Sequence, residues 1–340
     1  MDFKKLCFEL ADISATSGDE TVLSEVLVTY LSEYMPCKTD KLGNVIGSTE
    51  NGDLHILLDA HIDQVGLVVR GIDDEGFILV DQVGSTDLRV LTGAEVVVHG
   101  KEDLYGVICS VPPHLRSDGA DDKLNIKAMA IDTGLKKEQV SAVVSVGDRI
   151  TLRNNQQELL NNCISSSAFD NRCSIAAILG ALELVKNKLK NVKLSVMLSA
   201  QEEVGCRGAA PGSFSLEPDC CIVVDVGFGD DPYTDKTQTI RLGDGPSIGI
   251  APILDRAMTN ELIDTAVKCG INYQHDVMSP RTGTNADAIT VSGKGVRTSL
   301  ISIPLRYMHT ANEVICVDDV EKTAQLIAEY LLKKENEINA

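Results

Sequence analysis

The chain has 340 residues, of which 44% are hydrophobic, 24% charged and 4% aromatic, with no Trp; this is the profile of an ordinary folded protein long enough to bury a large core. Its formal net charge of -19 argues against nucleic acid and anionic membrane as partners, because both would repel such a surface. The acidity suits cation binding and plain solubility equally well.

The N-terminus, Met1-Asp2-Phe3-Lys4-Lys5, has no signal-peptide core. Apolar spacing predicts a helix over Phe3 to Ile13. Ser17-Gly18-Asp19-Glu20 predicts the cap of a second helix running to about Tyr34. Leu54 to Leu58 reads as a short strand that leads into Ala60-His61-Ile62-Asp63. From about Gly66 the texture changes. Val- and Ile-rich runs (Gly66 to Arg70, Phe77 to Val80, Ala94 to Val98, Tyr105 to Cys109) are broken by Gly and Asp, and this continues to about Leu152 as a small all-β unit. The segment 112–123 reads as an irregular, mobile loop.

After Asn161 the alternation of helix and strand returns. Arg172 to Val185 is predicted as an amphipathic helix, Val192 to Leu198 and Cys220 to Val226 as strands, and Asn260 to Cys269 as a helix. Gly295 to Ile303 is strand-like, and Asp318-Asp319-Val320-Glu321 opens a last helix with the character of a capping box. The expected fold is α/β: a doubly wound parallel sheet, built from 1–65 and 158–340, interrupted by a β domain at 66–157. The 10 Cys include no CxxC pair, and the adjacent Cys220 and Cys221 point oppositely in a strand, so free thiols in a reducing cytoplasm are expected. No apolar run is long enough to span a bilayer.

The chemistry-bearing positions gather where doubly wound sheets place them, at the carboxyl ends of strands. Glu202 and Glu203 follow the apolar run Val192 to Leu198, where two like charges repel unless a cation sits between them or one holds a proton. His61 ends another strand. Alone it reads as structural, but Asp63 can take the second N–H of a metal-bound imidazole. Asp170, at a helix entry, reads either as an N-cap or as a carboxylate bridging two metals, with Arg172 balancing charge. Asp225 ends the strand from Cys220 and needs a partner, a cation or an ion pair. His309 completes a set of imidazoles and carboxylates that suits Zn²⁺, Co²⁺ or Mn²⁺. In an extended segment Glu202 and Glu203 diverge, so one can hold metal while the other takes a proton from water and passes it to a leaving amine.

Ala60-His61-Ile62-Asp63-Gln64-Val65-Gly66, Phe169-Asp170-Asn171-Arg172, Gln201-Glu202-Glu203-Val204-Gly205-Cys206-Arg207-Gly208, Asp225-Val226-Gly227 and Arg306-Tyr307-Met308-His309-Thr310 stand in this order along the chain. Together they resemble the motifs of the tetrahedral aminopeptidases, metallopeptidase family 42, which includes glutamyl and deblocking aminopeptidases. The resemblance implies a cytoplasmic enzyme that removes N-terminal residues from short peptides with two divalent metal ions, Zn or Co first and Mn next. It implies that Asp170 bridges both ions, that Glu203 and His309 complete one site and His61 and Asp225 the other. Glu202 would be the general base and acid, and Asp63 would orient His61. The implied fold is a phosphorylase/hydrolase-like domain with a PDZ-like β insert that helps assembly into homo-oligomers, commonly twelve-subunit tetrahedral shells.

Three positions depart from the family pattern. Gln64 stands where many members have Glu, Asn171 where many have Asp, and Asn285, in Thr282-Gly283-Thr284-Asn285-Ala286, replaces an Asp of a pocket loop. Altered tuning is expected from the first two and altered substrate preference from the third. A metal-dependent deacylase or carboxypeptidase on a similar scaffold is the alternative activity. Glycoside hydrolysis, which normally uses two carboxylates without metal, is disfavoured.

Overall fold

The computed structural model describes residues 1–109, 111, 114 and 125–339. The segment 112–123, expected to be a loop, lies outside them apart from His114. Helices α1 (Phe3–Ala11) and α2 (Thr21–Ser32) lead into strands β1 (Cys37–Thr39), β2 (Val45–Ser48) and β3 (Leu54–His61). Then come β4 (Gly66–Ile72), β5 (Ile78–Val83), α3 (Leu88–Leu91), β6 (Glu95–His99), β7 (Asp103–Ile108), β8 (Ala130–Asp132), α4 (Lys137–Val143) and β9 (Arg149–Leu152). The chain continues through β10 (Gln157–Glu158), β11 (Cys163–Ser166), α5 (Phe169–Val185), β12 (Val192–Ser199), α6 (Ala209–Leu216) and β13 (Cys220–Phe228). It ends with β14 (Ser247–Ile250), α7 (Arg256–Cys269), β15 (Gln274–Val277), α8 (Ala286–Ile289), β16 (Arg297–Arg306), β17 (Glu313–Cys316) and α9 (Val317–Ile338).

The larger sheet has a parallel core in the order β12-β3-β13-β16, extended on both sides by antiparallel strands: β2 and β1 beyond β12, and β17, β11 and β10 beyond β16. Side chains alternate across it, as a pleated strand requires. Ile56, Leu58 and Ala60 of β3 join one core cluster with residues of α1, α2, α5, α7 and α9, while Leu57 joins a second cluster with residues of α6 and α8. Helices therefore cover both faces. The strands between Gly66 and Leu152 form a separate closed barrel, β4-β5-β8-β7-β6-β9, around Leu67, Val69, Val80, Val96, Val98, Ile131 and Ile150. Closure removes the free edges that short Val-rich strands would otherwise expose. No described helix is long and apolar enough to cross a membrane.

Local expectations fail where polar side chains have other employment. Helix α2 starts at Thr21 with no side-chain cap, because the Glu20 carboxylate accepts the amides of Gly18 and Gln201. Helix α9 starts at Val317, and Asp319 accepts the amides of Gly243 and Gly245 instead of closing a capping box. Helix α5 is not amphipathic. It is buried at every position from Phe169 to Leu182, because α1 and α9 cover the side that faces away from the sheet.

Candidate metal and catalytic centre

The parallel strands end at one level. Ser199 of β12 is paired with His61 of β3, and Val223 of β13 with Asp59, so continuing the register sets Asp225 beside His61. Glu202 and Glu203 follow the end of β12. They are not extended as expected: the chain turns here, with the Glu202 carbonyl accepting the amides of Gly205 and Cys206. Asp170 enters from the start of α5, where Asp170 and Asn171 keep non-helical backbone and their peptide is cis. Its carboxylate oxygens face His61 and His309 rather than the amides of α5, and Ala168 stands at the N-cap position, so Asp170 does not serve as the cap. His309 comes from the turn between β16 and β17, with φ +63°.

Of three triads among the described residues that could hold a cation, two share Asp170, and the third is His61 with Glu202 and Glu203. His61 Nε2 lies 3.0 Å from Asp170 Oδ1 and 3.7 Å from Asp225 Oδ1. His309 Nε2 lies 3.2 Å from both Asp170 Oδ2 and Glu203 Oε1. Two ligands about 2.0–2.1 Å from a tetrahedral ion stand roughly 3.3 Å apart, so these spacings are those of ligand atoms around a shared cation. Glu203 Oε1 is buried and makes no hydrogen bond of good geometry despite its nearness to His309. Such an oxygen costs free energy unless something else satisfies it. The imidazole, carboxylate and orphan-oxygen set fits Zn²⁺ or a similar ion, and the two oxygens of Asp170 face different histidines.

The charges agree. Burial pushes the Glu202 carboxyl up to about 7, with Glu203 and Asp170 adding to the rise against the pull of His61. Burial, then Asp170, raises Glu203, and burial, then Asp170 and Glu202, raises Asp225. For Asp170 burial works the same way, but hydrogen bonds from His309 and His61 win and hold it below the usual carboxylate range. Burial would lower His309, yet Asp170 and Glu203 carry it up to about 11. A pocket in which carboxylates resist ionising and imidazoles hold protons is a pocket short of positive charge.

Backbone and side-chain partners brace the set. The second nitrogen of His61, Nδ1, is 3.0 Å from the Asp63 carbonyl and 3.5 Å from its carboxylate, so the closer acceptor is the main chain. The Asp63 carboxylate instead accepts the Ser17 hydroxyl at 2.6 Å and the amides of Glu202 and Glu203 at 2.8 and 3.1 Å. His309 Nδ1 is 3.0 Å from the Ser85 carbonyl, supplied by the barrel. Glu313 accepts the amides of His309 and Asp170. The Arg172 guanidinium, fully buried, bonds the carbonyls of Leu10 and Ile13 and the Gln64 side chain rather than a carboxylate. Asn171 donates to the Val224 carbonyl. Asn285 is buried and donates to Asp59 and Ser199, so it lies under the site rather than lining it.

Ser17, Glu20, Ser85 and Glu313 carry no flag in the motifs. Glu313 had a readable signal, an ionisable group opening the apolar run Val314-Ile315, as Asp225 closes the run from Cys220. Ser85 acts through its main chain and leaves none. A small cavity lined by Gln64, Asp170, Glu203, His309 and Glu313 shares Leu152 and Thr310 with a cleft of about 1070 Å³ between barrel and sheet.

Comparison with known proteins places the chain among peptidases. The sequence profile described as M42 glutamyl aminopeptidase matches residues 43–326. A lysyl aminopeptidase of Pyrococcus furiosus is 30% identical over 87% of this chain and 86% of its own length. The solved structure of an aminopeptidase from the archaeon Desulfurococcus kamchatkensis superposes with a TM-score of 0.90 at 30% identity, covering 99% of this chain and 98% of that one. The TET1 peptidase of Pyrococcus horikoshii, whose structure is described as assembling into a tetrahedron or a large octahedral shell, gives 0.85 at 29% identity over 96% and 98%.

Proposed function

The chain belongs to the M42 glutamyl aminopeptidase family, and from that premise we propose that it works as a dinuclear metal aminopeptidase that trims N-terminal residues from short peptides. The family and its aminopeptidase relatives make it a hydrolase of peptide bonds. The observation that carries the dinuclear reading is the shared carboxylate: Asp170 faces His61 with one oxygen and His309 with the other. In this reading Asp170, Glu203 and His309 hold one ion, and Asp170, His61 and Asp225 hold the other.

Bound there, a pair of divalent ions supplies Lewis-acid polarisation of the scissile carbonyl and lowers the pKa of water. Glu202 takes a proton from the attacking water and hands it to the leaving amine. An environment that sets its carboxyl near neutrality suits both transfers. Asp63 holds Glu202 and Glu203 through their amides, so that one turn of chain presents a ligand and a base side by side. The substrate's remaining residues lie along the cleft that opens past Thr310. The likeness to the shell-forming peptidase supports a homo-oligomer in which the barrel contributes to assembly, and the thiol-rich composition supports a cytoplasmic setting.

Metal analysis of the purified protein, combined with a fluorogenic aminoacyl panel before and after chelation, tests this reading. We expect close to two divalent ions per chain and release of N-terminal residues that stops on chelation and returns with Zn²⁺ or Co²⁺. Full activity in protein shown to be free of metal would overturn it.

A further inference from the structure

Glu313 opens β17 with its side chain inside the protein, and each of its oxygens takes a backbone amide: Oε1 that of His309 at 2.8 Å, Oε2 that of Asp170 at 3.1 Å. Those two residues are 139 positions apart and reach the site from different elements. The chain near each is held in left-handed backbone, Ala168 at φ +60° and Tyr307 and His309 at +60° and +63°. Each such residue costs about 1–2 kcal/mol and persists only where its surroundings over-determine it. The residue is 2% exposed. Burying a carboxylate is costly unless its hydrogen bonds are satisfied, and here both oxygens are used on the chain that carries two proposed ligands.

The plain alternative is a structural cap. Glu335 shows what that looks like: it is 5% exposed, accepts the amides of Asn191 and Val192, and touches none of the site residues. Glu313 differs in what it joins. Asp170 offers one oxygen to each histidine, so a shift of its backbone against that of His309 would spoil both triads together.

We propose that Glu313 is a positioning residue of the metal centre, a two-pronged clamp that fixes the Asp170 and His309 backbones at the separation a bound ion requires. The inference rests on the metal reading of the site. Outer partners of metal ligands typically carry 10–100-fold in affinity. Glutamine at 313 keeps the shape but turns one acceptor into an N–H donor facing another N–H, so one prong is lost.

The test is a Zn²⁺ titration against a chromophoric chelator, well below the melting temperature, on wild type, Glu313→Gln, Glu313→Asp and Glu335→Gln. We expect Glu313→Gln to bind about 10–100-fold more weakly and Glu335→Gln to keep wild-type affinity even if it melts earlier. Glu313→Asp, which keeps the carboxyl group and shortens the reach, should also bind more weakly, and it carries the comparison if the glutamine variant does not fold. Wild-type affinity in a folded Glu313 variant overturns the clamp while leaving the metal reading intact. A wild-type chain that takes up no Zn²⁺ overturns the metal reading, and the clamp falls with it.

Discussion

The Asp63 carboxylate accepts the backbone amide of Glu202 at 2.8 Å, so a residue two positions past one proposed ligand fixes the proposed base. Its other oxygen takes the Ser17 hydroxyl and the Glu203 amide. Asparagine at 63 offers one acceptor and one donor, and the donor would face an N–H or a hydroxyl. Asp63→Asn should therefore lower kcat/KM by about 10–100-fold while the metal stays bound. Ser17→Ala removes one hydrogen bond to the same carboxylate and should cost only about 1 kcal/mol of stability. Steady-state kinetics with metal analysis on both variants checks this, and an unchanged kcat/KM in Asp63→Asn would count against the bracing role.

Glu202 is the group with no place in either triad of the proposed dinuclear site, and its carboxyl sits up to about 7 under the combined effect of burial and neighbouring charge. Glu202→Gln keeps the volume and removes the proton acceptor. General acid–base groups contribute about 10²–10⁴ in rate, so kcat should fall by that factor with two ions still present. Wild-type-like turnover in this variant would sink the assignment of the base.

The parallel core was legible because its strands are largely apolar runs with ionisable residues at or just beyond their ends: Leu54 to Leu58 before His61, Val192 to Leu198 before Glu202, Cys220 to Val224 before Asp225. A carboxylate at the end of a buried run needs a cation or an ion pair, and the five motifs in order pointed to the cation. What sequence could not give was bracing. Asp319 and Glu20 look like helix caps and serve loops far away in the chain, since an amide 74 or 181 positions distant is invisible to a local pattern. The burial of α5 on all sides was hidden for a related reason: its Ser, Arg and Gly positions look solvent-facing until α1 and α9 are placed over them. Asn285 read as a pocket residue because its loop resembles one, and only the fold brings it onto Asp59.

A loop of the barrel reaches the centre. Gly84 has φ +76°, and a Cβ there would stand 2.9 Å from Val65 Cγ1 and 3.3 Å from Glu203 Cβ. The next residue, Ser85, gives His309 its carbonyl acceptor. Gly84→Ala should thus strain the backbone by about 1–2 kcal/mol and also press on Glu203. Gly93, at φ +80° with nothing within 4 Å of a Cβ, isolates the first effect. We expect both alanine variants to melt earlier but only Gly84→Ala to lose Zn²⁺ affinity. Equal affinity in the two would separate the barrel loop from the centre.

Chelation should reverse the pH dependence of stability. In the protein groups alone, Glu202 titrates at about 7 and Glu313 at about 8, both above the ordinary carboxylate value, and His309 at about 11, above the ordinary imidazole value. Each binds its proton more tightly folded than unfolded. The native state then holds more protons than the unfolded chain, and stability falls as pH rises. The carboxylates lose it between about pH 4.5 and 8, and His309 from about 6.5 upward. Asp170 and Asp63 shift the other way, but they act at acid pH, below this window. Chelated protein should therefore melt progressively earlier from pH 6 to 9. Metal binding needs the ligand His309 deprotonated and favours the ionised forms of Glu202 and Glu313 beside it, so Zn²⁺-loaded protein should hold or raise its melting temperature over that range. The gap between the two curves should widen with pH in a differential scanning experiment. Parallel curves, in protein shown to have lost its metal, would mean that these titrating groups and the ion do not share a site.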